Sequence, residues 1–341
     1  MIKFPSINQF RNVVQHVRHK ASYAGVDADG NVMYHPAPKY PTLTFVGTVK
    51  LHGTNAAIVF SPSGDITFQS RERIISPGDD NAGFAEHFSQ YTDSLRALAE
   101  DLDILGETPS DSTLVIYGEW CGGNIQKGVA ITGLPKMFVV FAVKVNDEWR
   151  NDLAHLCNDK EANIYSIENF PKWFKPINFE NPEKAQNALA ELTQTVEECC
   201  PVGKHFGQEG VGEGIVWRCV EDPSPDYWFK VKGEKHSASK VKTLAAVDIE
   251  AMETMSAFIA YAVTESRLEQ GLQNLLNEQK KPFAMTSVGD FIRWVYNDVL
   301  KEESDTIMAN GIEPKKLGGP IALAARRWFI DKLNSEVMAS V

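Results

Sequence analysis

The chain has 341 residues, 43% of them hydrophobic and 23% charged, and its 34 Lys+Arg against 45 Asp+Glu give a formal net charge of −11. This composition excludes a disordered chain, and no apolar run reaches the roughly 20 residues of a membrane-spanning helix. Five cysteines without a Cys-x-x-Cys pair speak against a disulfide framework and against a structural zinc site.

The length predicts two domains or three. The N-terminus, Met1-Ile2-Lys3-Phe4-Pro5, lacks the apolar core of a signal peptide. A soluble protein of a reducing, cytoplasmic compartment is expected, with a monomer as the default. Taken whole, the acidic balance speaks against a nucleic-acid partner. Divided along the chain it says something narrower: residues 1–60 carry +4, 61–200 carry −12, 201–241 are neutral and 242–341 carry −3. Two regions are locally basic, the first sixty residues and the run Lys230, Lys232, Lys235, Lys240, Lys242.

In chain order, Ser6 to about Lys20 predicts a helix with Ile7, Phe10, Val14 and Val17 on one face and Ser6 as its cap. A Gly/Pro/Asp-rich stretch follows to Pro41. Short β-branched runs come next: Leu43–Val49, Ala56–Phe60, Ile66–Gln69 after the turn 61–65, Thr113–Tyr117, Met137–Val145, Ile215–Cys219 and Tyr227–Lys232. Helices are expected near 81–100 and over 182–199, the second capped by Asn181 with Pro182 at its first position. The mixture predicts an α+β domain on antiparallel sheet. From about Val247 the pattern turns helical throughout. Ser287 can cap a helix carrying Val288, Phe291, Ile292, Val295 and Val299, and Pro320 can open a last one with Ile321, Ala325 and Trp328 inward. The domain boundary is expected near 242–247, giving domains 1–242 and 243–341.

The least ordinary string is Lys50-Leu51-His52-Gly53-Thr54-Asn55. A lysine ending a strand in apolar surroundings loses its proton more readily, because burial disfavours the charged form. That makes it a candidate nucleophile, although a surface lysine before a turn has the same spacing. Other candidates stand at strand ends: Arg71, Glu119 in Tyr117-Gly118-Glu119, and Glu213 in Glu213-Gly214-Ile215-Val216. Lys230 and Lys232 alternate on one face of a strand and would repel each other unless an anion such as a phosphate lay between them. Taken singly, each also reads as an ordinary solvated side chain.

Together and in order, these strings resemble the covalent nucleotidyltransferase superfamily of polynucleotide ligases and mRNA capping enzymes, and within it the RNA ligase 2 family of T4-like bacteriophages. The carrying motifs are Lys50-Leu51-His52-Gly53-Thr54-Asn55, Gly118-Glu119, the string Ile125-Gln126-Lys127, Phe141 within Phe138-Val139-Val140-Phe141, Glu213-Gly214-Ile215-Val216, and Lys230-Val231-Lys232. The helical tail, notably Tyr261 through Leu272, is also similar to that family's C-terminal domain. His52 stands where DNA ligases and capping enzymes more often carry Asp, Arg218 where a lysine is the rule, and Ala142 where an Asp is.

The resemblance implies an adenylyltransferase domain with antiparallel sheets, an all-helical C-terminal domain, and ATP-dependent sealing of RNA 3′-OH/5′-phosphate nicks. Lys50 would form a lysyl–AMP, with His52, Lys230 and Lys232 catalytic around the phosphates. Val49 and Leu51 would meet the adenine edge through their backbone and Phe141 would stack on the base. Glu119 would bind the ribose, with Asn55, Arg71 (Arg73 being its rival) and Arg218 also at the nucleotide. Glu213 would take part in binding Mg2+ or Mn2+. The partner would be RNA, as nicked duplex. The rivals are a DNA ligase or GTP-dependent capping enzyme, which usually continue into a β-barrel where this chain reads as helical, and an inactive RNA-binding relative, which would have lost the lysine or the carboxylate.

Overall fold

The computed structural model describes residues 1–103, 112–150, 153, 156, 158–233 and 255–339. By contacts the chain divides into two compact units, Met1–Gly233 and Glu234–Val341. The boundary expected near 242–247, and Lys235, Lys240 and Lys242, lie outside the described residues.

In the first unit, helix α1 (Phe10–Ser22) starts later than Ser6. The reason is local: the Asn8 N–H donates to the Trp228 carbonyl (3.2 Å) and the Asn8 carbonyl accepts from Lys230 N–H (3.0 Å), so residues before Gln9 are held extended. Asn12 Oδ1 then accepts from the Gln9 N–H (3.2 Å) at the helix start. The Gly/Pro/Asp-rich stretch folds as a hairpin, β1 (Tyr23–Val26) with β2 (Val32–Tyr34).

A four-stranded antiparallel sheet has the order β11 (Lys172–Asn178), β3 (Thr42–Lys50), β12 (Gly214–Cys219), β13 (Phe229–Lys232). Its back is closed by α1 and by α4 (Glu183–Glu198) around Phe10, Phe45, Leu189, Trp217 and Phe229, all fully buried. The Phe10 and Phe229 ring centroids are 5.0 Å apart, those of Phe45 and Phe229 5.3 Å. Strand β11 contains Pro176, which a sheet tolerates at an edge because no ladder donor is needed there.

The other sheet runs β10 (Ile164–Ser166), β8 (Met137–Val145), β7 (Leu114–Cys121), β4 (Thr54–Phe60), β5 (Ile66–Ser70), β6 (Ile74–Ile75), with β9 (Glu148–Arg150) also on β8. It is antiparallel except for β10, which lies parallel to β8. The helical stretch near 81–100 forms two pieces, α2 (Phe84–Phe88) and α3 (Thr92–Asp103). Phe84 and Phe88 of α2 meet Trp120 and Phe138 at ring distances of 5.1–5.7 Å, closing one face of this sheet. Gly118 permits that closure, since a Cβ there would fall 2.4 Å from the Phe138 ring. Helix α4 starts one residue after Pro182 and is followed by the short α5 (Pro201–His205).

The second unit is helical, with α6 (Met255–Ala262), α7 (Glu265–Gln273), α8 (Val288–Glu302), α9 (Ser304–Ala309) and α10 (Pro314–Ala339). Its core includes Phe258, Leu272, Phe291, Val295, Val299, Ile321, Ala325 and Phe329. Ser287 sits at the N-cap of α8 but its side chain makes no cap hydrogen bond. Pro320 does not open the last helix: α10 starts at Pro314 and carries Pro320 inside it.

Candidate active site

Sequence alternation explains where Lys50 points. Val49 and Leu51 on either side are buried (3% and 5% exposed), so the lysine between them turns to the opposite face. Register then assembles its neighbours: Gly214 of β12 lies opposite both Lys50 and Lys232, and Val216 lies opposite both Thr48 and Lys230. Lys50, Lys230 and Lys232 therefore rise from one face of the four-stranded sheet.

Glu213, at the turn into β12, is the centre. Lys50 Nζ donates to its Oε2 at 2.9 Å, His52 Nδ1 lies 3.2 Å from the same oxygen, and Lys232 Nζ reaches Oε1 at 3.0 Å. The carboxylate is 2% exposed. Burial alone would raise its pKa, but Lys50, Lys232 and His52 hold it well below the usual carboxylate range.

The nucleophile candidate behaves differently from the expectation drawn from burial. Burial is the largest influence on Lys50 and favours the neutral amine, yet the Glu213 and Glu119 carboxylates together outweigh it, and its pKa is raised. Lys232 goes the other way. Burial, with Lys50 and Lys230 pushing in the same direction, overcomes Glu213 and lowers its pKa.

Glu119 lies within β7, opposite Asn55 of β4. It accepts the Gly53 N–H at 2.9 Å, and the Gly53 carbonyl accepts from Gln126 Nε2 at 3.4 Å. Burial raises the pKa of Glu119 against the opposing pull of Lys50 and the Gly53 N–H. The loop after Lys50 is thus pinned to the neighbouring sheet. Gly53 is required there by space, because a Cβ would fall 2.3 Å from the Trp120 carbonyl.

Arg71 and Arg73 separate clearly. Arg73 is held by the 79–80 turn, donating to Asp79 Oδ1 (2.7 Å), the Asp79 carbonyl (3.1 Å) and the Asp80 carbonyl (2.9 Å). The Arg71 side chain is half exposed, 3.9 Å from Glu72, and its charge reaches Lys50.

Phe141 occupies a bulge of β8, where Tyr117 pairs with Ala142 and Gly118 with Val140. Arg218, expected at the nucleotide, is buried. Its guanidinium is engaged by the Phe141 carbonyl (2.7 Å) and by Glu168 (3.3 Å). It braces the bulge against β12. The Ala142 methyl, where a carboxylate was anticipated, is buried beside Tyr117 and Trp228.

Three features at the site had no sequence signal or a faint one. The N-terminal strap crosses from sheet to sheet: Ile2 N–H donates to Gln69 (2.8 Å), Tyr117 OH donates to the Ile2 carbonyl (3.0 Å), and Asn8 pairs with β13. Phe4 in that strap packs on Phe141 (5.1 Å) and Trp228 (5.7 Å). Glu168 as partner of Arg218 could not be read from spacing. Gln126, by contrast, was visible in the string Ile125-Gln126-Lys127.

The RNA ligase family model matches residues 43–232, more than half of the chain and all of the strands named above that carry the site. The chain belongs to the RNA ligase family. A search of curated proteins finds no match. Among solved structures, this RNA ligase family member is similar to Naegleria gruberi RNA ligase with PPi (15% identity, TM-score 0.43, 69% of this chain and 56% of that one). It is similar also to a mutant of that ligase with ATP and Mn (13%, 0.41, 69% and 57%) and to an archaeal ATP-dependent RNA ligase (13%, 0.40, 98% and 67%). The chain thus spans little more than half the length of the Naegleria ligase. Among the described residues no helix is long and apolar enough to cross a membrane.

Among the described residues, no cluster of three or more His, Cys, Asp or Glu side chains is arranged to hold an ion. Mg2+ does not need one, since it binds through one or two carboxylates and completes its shell with water and substrate phosphate. A buried, ionised Glu213 fits that chemistry, though both its oxygens carry cations here.

Proposed function

We propose that this chain is an ATP-dependent RNA ligase acting through a lysyl–AMP intermediate, of the kind found in the RNA ligase 2 group. The observation that carries this reading is the convergence of Lys50, His52 and Lys232 on the single carboxylate Glu213, within 3.2 Å of it. A strand-end lysine nucleophile with two further cationic or protonatable groups beside it, all on one carboxylate, suits phosphoryl transfer, which needs positioning and charge compensation more than acid/base groups.

Lys50 Nζ, once deprotonated, attacks the α-phosphorus of ATP. The phosphoramidate P–N bond forms, the bond to the bridging oxygen breaks, and pyrophosphate leaves. An oxygen of the RNA 5′-phosphate then takes the adenylyl group and frees Lys50. Finally the RNA 3′-hydroxyl attacks that 5′-phosphate, AMP leaves and the nick is closed. Lys230 and Lys232 meet the charge on the α-phosphate. Phe141 offers a stacking face to adenine beside the backbone of Val49 and Leu51, and Glu119, with Asn55, faces the ribose. Arg71, more exposed than Arg73 and only loosely paired with Glu72, is the arginine offered to a phosphate, and Arg218 serves the nucleotide by fixing Phe141. Glu213 would hold a divalent ion, Mg2+ or Mn2+, which when bound offsets charge on the phosphates. The substrate class is nicked duplex RNA.

The test is incubation of the chain with a divalent ion and α-labelled ATP or GTP, followed by denaturation. Label from ATP on the chain, absent in Lys50→Ala, supports the reading. Label from GTP points to capping chemistry, and no label with either nucleotide refutes a covalent nucleotidyltransferase.

A further inference from the structure

Charge in the helical unit is segregated. Helix α7 carries Glu265 and Glu269 against Arg267, and α8 carries Asp290, Asp298 and Glu302 against Arg293 and Lys301. Helix α10 breaks the mixture. Its residues 314–330 hold Lys315, Lys316, Arg326 and Arg327 and no acid, and its two carboxylates, Asp331 and Glu336, come afterwards. All four cations are exposed. Lys316 has a carboxylate at 2.7 Å (Glu313) and Arg327 one at 3.9 Å (Asp331), both pairs exposed and so readily exchanged for another anion. Lys315 and Arg326 are in no ion pair among the described residues.

Between the two basic pairs lie Gly318 and Gly319. Glycine is among the poorest helix formers, and neither position has a positive φ that would call for it. Packing does not call for it either: a Cβ at Gly319 would meet nothing within 4 Å, and one at Gly318 only the Tyr296 ring at 3.9 Å. Gly271 of α7 shows the contrast, since a Cβ there would fall 2.9 Å from Trp294. Gly319 precedes Pro320, and without a Cβ it avoids the clash that a proline imposes on the residue before it inside a helix, which leaves this exposed stretch of α10 bare between the two basic pairs.

We infer that this face of α10 is a docking surface for the sugar–phosphate backbone of duplex RNA, with Lys315/Lys316 and Arg326/Arg327 as two phosphate clamps. The clamps lie about 16 Å apart along the helix at 1.5 Å per residue. Duplex rather than single-stranded RNA is favoured because unstacked bases need aromatic platforms. The aromatic side chains nearby are committed, Phe329 to the core and Trp328 to stacking on Phe291 at 5.7 Å. The choice of RNA as the polyanion rests on the proposed ligase function.

The experiment measures binding of a labelled nicked RNA duplex to the full chain in EDTA, across a salt series. Lys315→Glu with Arg326→Glu should weaken binding at least tenfold and flatten the slope of log affinity against log salt by roughly two, one per phosphate contact. Arg293→Glu, on α8 beside Asp290, should stay within twofold. Wild-type affinity in the Lys315→Glu/Arg326→Glu variant overturns the inference, as does an equal loss of binding to single-stranded RNA. If the wild-type chain takes no label from nucleotide, the ligase reading fails, but the binding series needs no catalysis and still decides about α10.

Discussion

Replacing Gly53 by alanine tests how the loop after Lys50 is set. The new Cβ would stand 2.3 Å from the Trp120 carbonyl oxygen and 2.7 Å from Cys121 Cβ, where ordinary contact begins at 3.4 Å. No rotamer can relieve this, because the nearest atom is backbone of β7, which is paired on both sides by β4 and β8. The loop must therefore retreat by about 1 Å, stretching the 2.9 Å bond from Gly53 N–H to Glu119. A misplacement of about 1 Å at a reacting group costs on the order of 100-fold in rate. Overpacking adds about 1–3 kcal/mol of destabilisation, a fall of roughly 3–10 °C in Tm for a unit of this size. The assay is the initial rate of label transfer from α-labelled ATP to the denatured chain, with Tm read in parallel. Gly133→Ala is the control, since its Cβ meets nothing within 4 Å, and it should stay within about twofold. A Gly53→Ala chain labelled within threefold of wild type, at unchanged Tm, would refute the reasoning.

Lys50→Ala should lose adenylate formation and keep sealing of pre-adenylated nicked RNA; retention of the covalent adenylate in that variant would show that another group is the nucleophile. Glu213→Gln removes the carboxylate that opposes burial at Lys50, so the lysine should release its proton at lower pH than in the wild type. The pH dependence of amine labelling at Lys50, read by peptide mass spectrometry, checks this, and a midpoint that stays put or rises would contradict the electrostatic account. Arg218→Lys can serve the Phe141 carbonyl or Glu168 but not both, at a cost of about 1–3 kcal/mol; urea unfolding should show the loss, and the KM for ATP should rise as the Phe141 bulge loosens. Phe4→Ala removes the ring between Phe141 and Trp228 and should cost roughly 2–3 kcal/mol, again with a raised KM for ATP at little changed kcat; an unchanged KM would mean that the strap does not shape the site.

What could be read from the sequence had local causes. Most strands of both sheets announce themselves as apolar, β-branched runs, whereas β11, with Lys172, Lys175 and Pro176, and the short β6, β9 and β10 do not. Lys50, Glu213, Lys230 and Lys232 fall at strand ends or on strand faces whose direction alternation determines. Partners set by long-range contact were invisible. Asn8 lies 221 positions before Phe229, yet it decides where α1 begins and what braces Lys230. The resemblance implies a nucleotide role for Arg218, and nothing local in the sequence reveals that Glu168 and a carbonyl 77 positions away engage it. Pro320 misled for another reason. Proline is common at helix starts, and only packing of Leu317 into the core shows that α10 is already running before it.

The proton on Lys50 links the site's stability to its chemistry. A buried lysine between Lys232 and Arg71 should shed its proton, yet Glu213 and Glu119 keep it charged. The same Glu213 is held ionised by Lys50, His52 and Lys232, so each group stabilises the other's charge. Removing one partner leaves an uncompensated buried charge, which is the expensive event in such networks. The site therefore resists losing the Lys50 proton until something else satisfies Glu213. On the proposed function, a polyphosphate entering among Lys50, Lys230 and Lys232 would supply the anion these cations need, and Glu213 would then be free to meet a cation that travels with it. On that same proposal, Lys50 would become reactive only when nucleotide is present, because the group that suppresses it is the group that the nucleotide and its counter-ion would draw away.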